Sequence, residues 1–124
     1  MGYRSDVAIA VYGKEAISVQ AHVAAWKGGL AEETRIWVEQ NEALGSDPCL
    51  YRLEFGSVKW YETYQDVIQV MDLLNKLEDR EYASELVGEF VRVGEEAGDS
   101  EHETFGRVDN CEYRYSVVST IEFN

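Results

Sequence analysis

Hydrophobic positions along this chain follow two periods. Between Arg4 and Tyr12, Val7, Ile9 and Val11 alternate with Ala8, Ala10 and Tyr12. Both faces of such a segment are apolar or small, which predicts a central strand buried on two sides. Gly13 ends it. From Lys14 to Lys27 the period lengthens to that of a helix, with Ile17, Ala21 and Ala24 on one stripe and Val19, Val23 and Trp26 on its neighbour. Gly28-Gly29 interrupts the pattern. Ala31 to Leu44 predicts a second helix, with Glu32 and Glu33 at its positive end and Gly45 at its exit. Ile36, Trp37, Gln40 and Leu44 then share a face, although Arg35 to Val38 also fits a short strand.

Ser46-Asp47-Pro48 is a turn. Cys49 to Phe55 alternates again, Gly56-Ser57 suits a type II′ turn, and Val58 to Tyr61 returns, so a hairpin is expected. A helix follows from Thr63, which can cap it, to Arg80. Tyr64, Val67, Ile68, Met71, Leu74 and Leu77 recur along it at helical spacing. The last third predicts a meander of three strands: Glu85 to Gly94, Ser100 to Phe105 and Cys111 to Phe123. Turns at Glu95–Asp99 and Gly106–Asn110 join them. The order β-α-(α)-β-β-α-β-β-β gives an α+β fold. A mostly antiparallel sheet of about six strands carries two or three helices on one face. At 124 residues the chain reads as one domain spanning 1–124.

Charge adds a direction. Asp and Glu number 24 against 11 Lys and Arg, a net charge of -13. Half of the carboxylates fall between Glu78 and Glu112, opposed there only by Arg80, Arg92 and Arg107. Like charges so crowded repel one another unless water or a cationic partner offsets them. The balance points to a basic protein surface as partner, and away from direct binding of nucleic acid or anionic lipid. No apolar run approaches the roughly 20 residues that span a bilayer. The opening residues lack the apolar run of a secretory signal, and Asp6 stands where a myristoylation pattern needs Ser or Thr. A cytoplasmic protein is expected. Cys49 and Cys111 are too few for a disulfide framework and read as reduced structural thiols. No sequence signal specifies a homo-oligomer.

Three local patterns occur together: Gly2-Tyr3-Arg4-Ser5-Asp6-Val7, Val58-Lys59-Trp60-Tyr61-Glu62-Thr63-Tyr64 and Glu89-Phe90-Val91-Arg92-Val93-Gly94-Glu95. In their order and spacing the chain resembles a family of small uncharacterised proteins encoded by tailed phages and prophages. The resemblance implies a bacterial host cytoplasm during infection or lysogeny. It implies no particular activity.

Three groups of residues are candidates for binding. The first is acidic: Glu95, Glu96, Asp99, Glu101 and Glu103. In a strand, Asp99, Glu101 and Glu103 project from one face. Such a row is a solvated outer face, an imitation of the nucleic-acid backbone, or a seat for a hard cation, although it lacks an EF-hand loop. The second group, Trp60, Tyr61 and Tyr64, either seals the core edge or anchors a partner. The third, Arg4, Arg52, Lys59, Arg92 and Arg114, makes an anion pocket if the five converge. His22 and His102 read as packing or surface residues. There is no phosphate loop, no Cys-x-x-Cys and no His-Glu-x-x-His. No catalytic residue, metal or cofactor is therefore expected. The favoured expectation is a non-enzymatic, phage-type binding protein that inhibits a host defence protein by occupying its basic, nucleic-acid-binding surface. The alternative is a small-molecule binder that sequesters a nucleotide signal in an arginine and aromatic pocket.

Overall fold

The computed structural model describes residues 3–79 and 86–106. Strand β1 (Ser5–Gly13) is followed by helices α1 (Ala16–Gly28) and α2 (Glu32–Gln40), then β2 (Leu50–Val58). Helix α3 (Gln65–Asn75) runs into a 3-10 turn at Lys76–Glu78, and strands β3 (Leu86–Gly94) and β4 (Ser100–Gly106) complete the described chain. The four strands form one antiparallel sheet in the order β2-β1-β3-β4. The fold is α+β, with three helices beside this sheet. The expected strand Cys111 to Phe123 lies outside the described residues.

β1 is central, as its two apolar faces require. Val7, Ile9 and Val11 point into a core shared with Leu53, Phe55, Phe90 and Phe105 and with the buried faces of the helices. Ala8, Ala10 and Tyr12 on its other face are also fully buried.

Helix α3 docks on the Val7 face through Val67, Val70, Leu73 and Leu74, and the 3-10 turn after it through Leu77, all buried. The expected stripe is rotated: Tyr64 and Ile68 are exposed and Met71 is only partly buried. Apolar residues occupy more than one face of this helix, so periodicity alone does not choose between them. Neighbours choose. Gly88 of β3 has no side chain, and a Cβ there would stand 2.6 Å from Leu74 Cδ2 and 2.7 Å from Leu77 Cδ1. On the other side α1 fastens to α3 through Trp26 Nε1–H, which donates to Gln69 O at 2.8 Å. His22 Nε2 lies 2.8 Å from Leu73 O. The N-cap is Tyr64 rather than Thr63, and no side chain caps it.

Two further expectations are corrected. Gly56-Ser57 is not a hairpin turn, because β2 runs through it to Val58. The register against β1 shifts between Ser5 and Val7, Ser57 adopts φ +52°, and its N–H donates to Asp6 Oδ1 at 2.8 Å. Turn-forming residues here make an irregularity inside a strand, which re-aims the chain without reversing it. Val58 to Tyr61 therefore forms no returning strand. Helix α2 stops at Gln40, short of Leu44. Asn41 Nδ2 donates to Trp37 O at 2.8 Å, and the next residues pair with the edge of β2 through Ala43 N–H to Arg52 O and Glu54 N–H to Asn41 O. Thr34 and Val38 are its buried residues, while Ile36 and Leu44 are exposed.

Candidate functional site

The three segments singled out in the sequence meet at one end of the sheet. The Tyr3 N–H donates to Tyr61 Oη at 2.8 Å, and the Tyr3 hydroxyl donates to Asp99 Oδ2. The same hydroxyl accepts from the Glu96 N–H at 3.0 Å. Arg92 lies against this pair. Strand alternation puts it on the face of Phe90 and Val7, directly opposite Glu101 in the register.

The guanidinium of Arg92 is fully committed. Nε and Nη2 donate to Glu101 Oε1 at 2.9 and 2.7 Å. Nη2 and Nη1 donate to Asp99 Oδ1 and Oδ2 at 2.7 and 3.2 Å, and Nη1 also donates to Ser5 Oγ at 3.0 Å. An arginine has five N–H donors, and these contacts occupy all of them. The geometry depends on the turn between β3 and β4. Gly94 N–H donates to Asp99 O at 2.8 Å, Asp99 N–H donates to Glu96 O at 3.1 Å, and Gly98 supplies a φ of +82°. Any Cβ on Gly94 would collide with Asp99 Oδ2 and the Tyr3 hydroxyl.

Protonation states follow from these contacts. The Arg92 hydrogen bonds, and then that of Tyr3, hold the Asp99 carboxyl below the ordinary carboxylate range. The bond to Asp99 pushes the Tyr3 phenol up, and it is also the main reason that Arg92 stays charged even more firmly than usual. The knot is an anionic cluster closed on one cation, with no donor left for an incoming anion.

A cleft of about 330 Å³ opens beside it, between Arg4, Asp6, Ser57 and Glu95. Arg4 spends Nη1 on Ser57 O at 2.7 Å and its N–H on Glu95 Oε1 at 3.0 Å. Two carboxylates, Asp6 and Glu95, share that lining, which is poorly suited to phosphate.

The candidate groups are sorted by these positions. Of the five carboxylates, Asp99 and Glu101 are locked onto Arg92, whereas Glu95, Glu96 and Glu103 are exposed. Glu101 and Glu103 share their face with Phe105, which is buried in the core, so the row is not an outer face of the sheet. The arginines do not converge. Arg52 pairs with Ala10 in the register and so projects from the face opposite Arg92, in an ion pair with Glu54. Lys59 is exposed and Arg114 lies outside the described residues. The aromatic group divides as well. Trp60 is core, its ring centroid 5.7 Å from Phe55, 6.1 Å from Phe90 and 6.2 Å from Trp37. Tyr61 is half-buried, and its ring meets the exposed Tyr64 edge-on at 5.1 Å.

The sequence did not show the roles of Tyr3 and Ser5, which depend on contacts 58 to 96 residues away. Glu89 was missed too: it is 3% exposed with Oε1 3.2 Å from His102 Nε2. A carboxylate inside the apolar run from Leu86 to Val91 was a visible signal. Among the described residues no group of three or more His, Cys, Asp or Glu is placed to hold a metal ion, and no helix is long and apolar enough to cross a membrane. No protein-family model, curated protein or solved structure matches the chain.

Proposed function

We propose that this protein is a non-enzymatic acidic binding protein that docks on a basic, nucleic-acid-binding surface of another protein. In the phage setting implied by its resemblance, that partner is a host defence component, which the docking inhibits. The observation that carries this reading is the saturation of Arg92. Its donors are consumed internally, so it cannot receive a nucleotide phosphate, and the alternative of an arginine pocket loses its strongest member. Other cations are also engaged with carboxylates. Lys27 lies 2.6 Å from Glu42 and 3.8 Å from Glu39, and Arg52 pairs with Glu54. With a net charge of -13, the remaining surface is strongly anionic. Glu95, Glu96 and Glu103 form its exposed part at the β3–β4 hairpin. A field of that sign accelerates encounter with a basic surface and repels nucleic acid.

The test is affinity capture from host lysate, with wild type beside the Glu95→Gln/Glu96→Gln/Glu103→Gln variant, and a thermal-shift screen against nucleotides. Salt-labile capture of a nucleic-acid-binding protein, lost in the variant, supports the reading. Equal capture by both forms, or a large nucleotide-induced stabilisation, overturns it.

A further inference from the structure

A second cleft, of about 520 Å³, lies between the first turns of α2 and α3. Volumes of roughly 300–1,000 Å³ accommodate small ligands and single side chains. Its lining combines two aromatic residues, Trp37 and Tyr64, with two carboxylates, Glu33 and Asp66, and contains no Lys or Arg. Trp37 is held in place by its neighbours: its ring centroid is 4.5 Å from Phe55 and 6.2 Å from Trp60. The floor is fixed too. Gln69 Oε1 accepts from the Ala31 N–H at 2.9 Å, and Gln69 O accepts from Trp26 Nε1. The acidic residues complement the positive ends of the two helices, but those ends offer only fractional charge to two full carboxylates. Aromatic faces beside carboxylates favour a planar, weakly hydrated cation, and the arginine guanidinium is the side chain that fits both.

We propose that this cleft receives an arginine side chain from the basic partner, held between Trp37 and Tyr64 by the carboxylates of Glu33 and Asp66. The inference rests on the docking function proposed above and names a second point of contact for it. Contacts Asp99–Tyr3–Tyr61–Tyr64 link the base of the hairpin to the rim of the cleft.

The test uses two acetylated peptides of glycine and serine, one with a single central arginine and the other with citrulline in its place. Citrulline keeps the shape and removes the charge. The readout is the Trp37 indole N–H resonance, identified by its loss in Trp37→Phe. The arginine peptide should shift this resonance saturably while the citrulline peptide leaves it in place. Glu33→Gln/Asp66→Asn removes both carboxylates and keeps both rings, so it should weaken the arginine response roughly five- to tenfold, the scale of two exposed ion pairs. The Asn keeps the acceptor through which Asp66 Oδ1 holds the Val67 N–H at 2.9 Å, and the rest of the spectrum reports that the fold is intact. Equal responses to both peptides, or an arginine response unchanged in the double variant, overturn the proposal. If the cleft fails this test while a longer arginine-rich peptide still depends on Glu95, Glu96 and Glu103, the docking function stands without the cleft. If neither peptide depends on either site, both readings fall.

Discussion

Leu74 and Gly88 should be energetically coupled, and a double-mutant cycle measures the coupling. Leu74 is fully buried, so Leu74→Ala removes about three methyl and methylene equivalents and leaves a cavity, at a cost of about 3 kcal/mol within the usual 2–5 range. Gly88→Ala does the reverse. Its new methyl would stand 2.6 Å from Leu74 Cδ2 and 2.7 Å from Leu77 Cδ1, well inside contact distance. Overpacking of this kind costs about 1–3 kcal/mol, reduced by the ~0.4–1 kcal/mol that an Ala saves in unfolded-chain entropy. If the two changes were independent, the double variant would lose about 4–5 kcal/mol. The new methyl instead enters the space that Leu74 vacates, and only the clash with Leu77 remains. The double variant should therefore lose only about 3 kcal/mol, a coupling of about 1–2 kcal/mol. Urea denaturation of the four proteins, with m-values compared for two-state behaviour, gives the cycle. Additivity within about 0.5 kcal/mol would mean that α3 does not sit over Gly88.

The knot around Arg92 requires a glycine at position 94, so Gly94→Ala should lower Tm clearly while Gly98→Asn, at an open left-handed turn position, should be nearly neutral; thermal denaturation compares them. Ser57→Gly should stabilise by about 0.5–1 kcal/mol in urea, because φ +52° strains a side chain and not a glycine. Burial chiefly lowers the pKa of His22, opposed by its contact with Leu73 O and aided by Lys76. The unfolded state then binds the proton more readily, so this contribution to stability is present above about pH 6.5 and is lost as pH falls below it. Stability curves at pH 5 and 7 should differ by less in His22→Gln than in wild type, and an unchanged difference would refute the assignment.

The sequence made the sheet's centre plain because β1 alternates with no polar interruption between Val7 and Tyr12. The two helices that differ from expectation share a cause. α2 and α3 each carry apolar residues on more than one side, and what selects the buried side is a neighbour distant in sequence: Gly88 for α3, the edge of β2 for the end of α2. Gly56-Ser57 misled for a related reason, since glycine and serine serve a strand irregularity as well as a turn. At the site, the acidic hairpin was visible as composition. That Asp99 and Glu101 are tied to Arg92, whereas Glu95, Glu96 and Glu103 are not, depends on strand register, which a single chain does not announce. Tyr3 and Tyr61 stood inside singled-out patterns, but nothing in the sequence joined Tyr3 to Tyr61 and Asp99.

On the proposed function, the hairpin's exposed carboxylates, rather than the overall charge of -13, direct binding to a basic surface. Stopped-flow association of an arginine-rich peptide measures this directly, with two variants of equal net charge. One is Glu95→Gln/Glu96→Gln/Glu103→Gln. The other is Glu15→Gln/Glu39→Gln/Asp72→Asn, three exposed positions on the helical side of the chain. The hairpin variant should associate about tenfold more slowly at low salt, the control within about twofold of wild type, and the difference should vanish as the Debye length shrinks from ~10 Å at 0.1 M to ~3 Å at 1 M. Equal slowing in both variants would contradict a directing role for the hairpin, because it would then contribute only its share of the total charge.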